Sequence, residues 1–322
     1  VTNFGISPDG QGVVYRADQD TDELYELYSV PITGGQAKKL NFPTTIGDMG
    51  RFDINATSEW VVFMYDYGTD ELTEIFAVPI GGGPWHKLNG LMWYGSDIEE
   101  YAISPDGEWV VYMGDQDVDG VSELYSVPIT GGPESRLNEQ LPPGGDVYDF
   151  VISPDSERVV FRGDALINDV FELFSVPIDD GQPQKLNRPL VANGAANYYR
   201  ISPDSQRVAY TADAETNDVD ELYIVPIDGG QSVKLNDELA VGGDVDIVQF
   251  VGPDWVTYLA DGDTNNIREL YSVPADGGQV IKLNGPLVHG GQVSGWYVAA
   301  GGADNDGVIY VADQDALEVY EV

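Results

Sequence analysis

The chain has 322 residues, 42% of them hydrophobic, enough to build a packed interior and to exclude global disorder. Its 55 acidic and 15 basic side chains give a formal charge of −40, which makes nucleic acid and anionic lipid surfaces poor partners and suits cations, a basic partner or a saline medium. Cysteine is absent, so there is no disulfide framework and no thiol chemistry, and no apolar run reaches the roughly 18 residues a bilayer-spanning helix needs.

The dominant pattern is a repeat. Glu26-Leu-Tyr-Ser-Val-Pro-Ile32 returns as Glu74–Ile80, Glu123–Ile129, Glu172–Ile178, Glu221–Ile227 and Glu269–Ala275, with a truncated seventh copy at Glu318–Val322. A fixed period of about 40 to 50 residues marks a solenoid, a propeller or an array, and it overrides a domain count based on length. The expectation is one domain over residues 1–322.

Within a unit the elements follow in order. Val147–Ile152 alternates and is rich in β-branched and aromatic residues, so it reads as a first strand. Ser153-Pro-Asp-Ser156 follows as a type I turn, in which proline presets φ and Asp or Ser closes the turn with a side-chain bond. Arg158–Arg162 is the second strand, Asp164–Asp169 a polar hairpin, Phe171–Val176 the third strand, and Gln184–Asn187 the fourth. The turn recurs at Ser7–Gly10, Ser104–Gly107 and Ser202–Ser205. It decays to Asn55–Ser58, Gly252–Asp254 and Ala300–Ala303. The fourth strand recurs as Lys39-Leu-Asn41, Lys87-Leu-Asn89, Arg136-Leu-Asn138, Lys234-Leu-Asn236 and Lys282-Leu-Asn284. A basic residue on an exposed outer edge blocks edge-to-edge pairing. Four short antiparallel strands per unit with no helical period describe a propeller blade.

Ser-Pro-Asp-Gly, a Val-Val-Tyr strand, Glu-Leu-Tyr-x-Val-Pro, Gly-Gly and Lys-Leu-Asn together resemble the PD40 repeat of TolB-like β-propellers, and the resemblance covers the whole chain. It implies an all-β, seven-bladed propeller of four-stranded antiparallel blades. It also implies a function drawn from periplasmic scaffolds, binding modules and the non-catalytic halves of hydrolases. The first unit starts at a first strand and the last stops in a third, so the seventh blade is expected to lack its outer strand within this chain. Removed upstream residues, a three-stranded blade or a strand lent by another subunit would each account for that.

The most chemically loaded segments are the hairpins before each third strand. Asp18, Asp20 and Asp22 with Glu26, and Asp115, Asp117 and Asp119 with Glu123, place carboxylates at positions one, three, five and nine, while the sixth unit has Asp261, Asp263, Asn265 and Glu269 there. Weaker copies keep Asp66, Asp70 and Glu74; Asp164, Asn168 and Glu172; Asp213, Glu215, Asn217 and Glu221; or Asp313, Asp315 and Glu321. Such spacing fits calcium, which takes six to eight oxygens, although the EF-hand glutamate at position twelve is missing. The competing reading is turn chemistry, with Glu26 paired across strands to Lys39.

Linker aromatics Trp93, Tyr94, Tyr198, Tyr199 and Trp296 read mainly as core filling. The two histidines, His86 and His289, have no second histidine at metal spacing. Neither a nucleophile elbow nor a phosphate-cradling glycine loop occurs. Asn55-Ala-Thr57 is a glycosylation sequon by letter, placed in a turn.

The sequence thus points to a non-enzymatic propeller that is secreted, on the cell surface or periplasmic, since a start at Val1 fits a processed protein or a trimmed one. Its partner is expected to be a protein, or a second copy reached through the open seventh blade, without nucleic acid or membrane insertion. The alternatives are a carboxylate-based carbohydrate-active enzyme and the non-catalytic propeller of a larger hydrolase.

Overall fold

The computed structural model describes residues 1–44, 47–66, 72–93, 95–299 and 307–314, and among these no helix forms. The first unit folds as β1 (Asn3–Ile6), β2 (Gly12–Ala17), β3 (Glu26–Pro31) and β4 (Lys38–Lys39) in an antiparallel sheet of order β1-β2-β3-β4. Five further four-stranded sheets repeat that order, and Val293–Ala299 pairs with Gly307–Ala312 in a seventh, two-stranded sheet. These repeated antiparallel sheets are the blades of a β-propeller fold. The seventh copies of the turn (Ala300–Ala303) and of the third strand (Glu318–Val322) lie outside the described residues, as do Asp70, Tyr94, Asp315 and Glu321.

The chain divides into two compact units. One comprises Val1–Asp169 with Val176–Pro183, the other Val170–Ser175 with Gln184–Val322. In the first, the Val14–Leu27–Leu40 face of the first blade packs on Phe52, Phe63 and Val78 of the second. The Val62–Ala77–Leu88 face of the second packs on Tyr101, Tyr112 and Val127 of the third. In the other unit, Leu222 and Leu235 meet Val248, Tyr258 and Val273, and Leu259 and Leu270 meet Val293 and Trp296. Stacking each blade on its neighbour buries what a single small sheet cannot bury alone.

Register follows the period-two pattern. Tyr15 opposes Tyr28, Tyr112 opposes Tyr125, Tyr210 opposes Tyr223 and Tyr258 opposes Tyr271. Each pair stacks, with centroids 5.5, 5.2, 5.5 and 5.4 Å apart. Cross-strand aromatic contacts of this kind are the unit of sheet stabilisation.

The turn between first and second strands is built by side chains. Ser153 Oγ donates to Asp155 and accepts from the Arg158 amide, while Asp155 accepts from the Glu157 amide. The residue closing the turn takes positive φ, from Gly10 at 71° to Ser58 at 63°, so glycine is favoured there and serine tolerated. Asn55 is 2% exposed and accepts from the Glu59 and Trp60 amides, so its sequon is sealed inside the turn.

The fourth strand is shorter than the sequence suggests. Only two residues pair in each blade, as in Gln184–Lys185. The asparagine continues the ladder with its side chain. Asn41, Asn89, Asn138, Asn187, Asn236 and Asn284 each accept, through Oδ1, the buried amide fourteen residues upstream, from Leu27 to Leu270.

Candidate functional site

The acidic hairpins are clearest in the third blade. Asp115, at position one, is 8% exposed. Its Oδ2 accepts from the Gly120 amide at 2.8 Å and its Oδ1 from the Asp97 amide at 2.6 Å. Gly120 stands at φ 74°, and the same sixth position is left-handed at Glu23, Asp169, Asp218 and Asn266. Asp164, Asp213 and Asp261 hold those last three residues' amides in the same manner. The position-one carboxylate therefore satisfies a strained loop donor and ties the hairpin to its own linker.

Positions three and nine act as a pair. Glu123 is 4% exposed and accepts from Arg136 at 3.0 Å, while Asp117 lies 3.7 Å from the same guanidinium. Asp20 and Glu26 flank Lys39, Glu215 and Glu221 flank Lys234, and Asp263 and Glu269 flank Lys282. Glu74 pairs with Lys87 and Glu172 with Lys185. The cation these oxygens hold is the basic side chain of the fourth strand, so its charge is folded inward on glutamate as well as guarding an edge. Burial alone would lower the Lys234 ammonium pKa, but bonds to Glu221 and Glu215 outweigh it and the net direction is upward. Lys282 follows the same logic through Glu269 and Asp263.

The second glutamate oxygen takes a tyrosine hydroxyl. Tyr28, Tyr125, Tyr223 and Tyr271 donate to Glu26, Glu123, Glu221 and Glu269 at 2.8, 3.0, 2.8 and 2.8 Å. Burial, then the neighbouring carboxylate, pushes the Tyr223 and Tyr271 hydroxyls far above their usual range.

Asp22 and Asp119, at position five, are exposed, and Asp18 is half-buried. No group of three or more His, Asp or Glu gathers as a metal centre among the described residues. At positions one, three and nine of the third-blade hairpin, calcium would compete with backbone, Arg136 and Tyr125 donors for the oxygens of Asp115, Asp117 and Glu123. Of the linker aromatics, Tyr199 and Trp296 are buried at 6% and 9% exposure, whereas Trp93 is 66% exposed.

One set of residues escapes the sequence reading. Asp97, Asp146 and Asp244, at the start of the linker-side strand, accept the amides of Thr73, Ser122 and Asp220 in the preceding blade. Their signal was the Gly-Gly-Asp spelling at Gly144–Asp146 and Gly242–Asp244, which marks an interblade latch. Asp220 collects the most charge. Asn197 donates to both its oxygens, and its carboxyl is pushed up to about 6, first by burial and then by Asp213, Asp244 and Asp246. Asp246 itself pairs with Arg268 at 2.8 Å.

No known protein family matches the chain by sequence, and no curated protein does. Solved structures match by fold. The dipeptidyl peptidase 4 of Porphyromonas gingivalis aligns at 12% identity with a TM-score of 0.60, covering 88% of this chain and 46% of that one. A prolyl endopeptidase aligns at 12% identity and TM-score 0.52, covering 98% of this chain and 54% of that one. A TolB from Agrobacterium tumefaciens aligns at 16% identity and TM-score 0.41 over 85% of this chain and 88% of that one. The chain spans about half the length of the two peptidases, and at these identities the likeness speaks for the fold alone.

Proposed function

We propose that the chain is a non-enzymatic β-propeller that works outside the cytoplasm as a protein-binding or assembly module. The observation that supports this most is how its acidic groups are spent. In blade after blade the recurring carboxylates are taken up by a backbone amide, a fourth-strand cation or a tyrosine, as at Asp115 and Glu123. What differs between blades is surface, and surface variation on a repeated scaffold is how propellers and solenoids recognise partners. In this reading the partner is a protein or a second copy of the chain, reached through the seventh blade.

Sedimentation across a wide concentration range tests the self-association arm, and a chain that stays monomeric throughout removes it. Turnover assays with oligosaccharides and peptides test the non-enzymatic arm. Catalysis abolished by an Asp-to-Asn change in a hairpin would overturn it. A second reading is favoured by the peptidase alignments: the chain is the propeller part of a larger hydrolase. It is tested by reading the coding sequence that flanks residues 1–322.

A further inference from the structure

The cleft between second and third blades has a chemistry its neighbour lacks. It has a volume of about 380 Å³, and Glu59, Trp60, Glu108, Trp109, Pro128 and Ile129 are among its lining residues. Glu-Trp stands at the same place in both blades, just after the turn, so each wall contributes one indole and one carboxylate. The corresponding dipeptides are Gln11-Gly12, Glu157-Arg158 and Gln206-Arg207 in the first, fourth and fifth blades; the sixth has Asp254-Trp255, so only the second and third are adjacent blades that both carry an acid-Trp pair. The equivalent cleft between first and second blades, of about 250 Å³, is lined by Gln11, Gly12 and Lys38 instead.

Both tryptophans are half-buried and both glutamates exposed. Neither glutamate side chain has an ion-pair or hydrogen-bond partner among the described residues, and no Lys or Arg lines this cleft. That sets Glu59 and Glu108 apart from the position-one and position-nine carboxylates of the hairpins, such as Asp115 and Glu123, which are committed to the scaffold. A cleft of mixed polarity with two indoles and two uncompensated carboxylates complements one class of group, an organic cation with an apolar stem. Arginine and lysine side chains carry both, and arginine's weakly hydrated, planar head is the better match for indole.

We propose that the Trp60–Trp109 cleft binds a basic side chain, foremost arginine, presented by an extended segment of a partner protein. This deepens the protein-binding reading above and rests on it. The stem packs on Trp60, Trp109, Pro128 and Ile129 while the charged head faces Glu59 and Glu108. The neighbouring cleft, with Lys38 and Asp9 in its wall and no indole among its lining residues, serves as an internal control because it offers the same ligand no aromatic face.

The test uses the full chain and end-blocked Gly-Arg-Gly, Gly-Leu-Gly and Gly-Glu-Gly peptides at physiological salt, read by indole NMR and calorimetry. The arginine peptide is expected to bind saturably and to shift the Trp60 and Trp109 indole signals. Trp109→Ala should weaken binding about tenfold, the scale of a desolvated cation–π contact plus lost stem packing. The exposed double change Glu59→Gln and Glu108→Gln, which leaves folding intact, should do the same, whereas Asp179→Asn with Asp180→Asn elsewhere should not. Equal binding by every variant would assign the effect to diffuse negative charge and overturn the cleft, as would no saturable binding or equal binding of the leucine peptide. If the cleft fails while the chain still self-associates, the assembly reading stands and only this assignment is lost.

Discussion

Glu172 is 5% exposed and its Oε2 meets no hydrogen-bond donor, because Phe174 stands where Tyr28, Tyr125, Tyr223 and Tyr271 stand in four other described copies. The glutamate keeps its ion pair with Lys185 but not the hydroxyl that Tyr125 supplies to Glu123. Restoring the donor with Phe174→Tyr is expected to stabilise the chain by about 1 kcal/mol, the usual net value of a buried hydrogen bond. A higher urea midpoint at unchanged slope is the readout, and a fall would show that the ring's present packing outweighs the bond. Asp220 gives a second residue-scale expectation. Its folded pKa of about 6 lies above the ordinary carboxylate value, so the folded state takes up the proton first. The stability linked to that proton is fully present below about 4 and is lost as pH rises through 6. Asp220→Asn keeps an acceptor for Asn197 and removes the charge, so it should raise stability near pH 7.5 by about 1 kcal/mol after solvent screening. It should also flatten the pH dependence between 5 and 7, and a variant as pH-sensitive as the parent would refute the assignment.

The strand order of each blade was legible because three signals agreed: alternation, Ser-Pro-Asp turns and the proline ending each third strand. The Lys-Leu-Asn phrase was read in the right place but with the wrong division of labour. After its two paired residues the Leu137 amide still donates to the Leu124 carbonyl, but Asn138 Oδ1 takes the place of the backbone acceptor for the Leu124 amide, a substitution that periodicity does not distinguish from a longer strand. Asn138→Ala therefore strands the buried Leu124 amide and should cost about 2 kcal/mol, more than an edge substitution on a solvated strand would. Equilibrium unfolding measures it, and a change under about 0.5 kcal/mol would mean that water or a neighbour reaches that amide. The hairpins were harder to read, since carboxylates at positions one, three, five and nine look alike whether they await calcium or hold a lysine. What separates the two is the partner across the sheet, thirteen residues away at Lys39 or Arg136. Calcium remains a proposal for the loops. Millimolar calcium should raise the melting temperature and EDTA lower it if an ion displaces these contacts, and no shift in either direction removes calcium from the reading.

Across the whole chain the committed pairs leave most of the charge uncompensated. Lys39, Lys87, Arg136, Lys185, Lys234 and Lys282 are each matched with a glutamate, yet 55 acids face only 15 bases, so the excess negative groups repel one another through solvent. Two electrostatic terms then respond to salt in opposite directions. The Lys–Glu pairs are buried on the glutamate side and are screened weakly, while the exposed carboxylates interact across a Debye length that shrinks from about 10 Å at 0.1 M to about 3 Å at 1 M. Repulsion among exposed charges is the larger and the more screenable, so stability should rise with salt. Relief of about 2 kcal/mol would lift the melting temperature by roughly 3 °C for a chain of this size. Sodium chloride and tetramethylammonium chloride should act alike, because screening depends on ionic strength and not on the cation's size. A rise with sodium alone would point to a specific site for a small cation. A fall with both would mean that the ion pairs of the blades, and not their surplus charge, dominate the electrostatics of the fold.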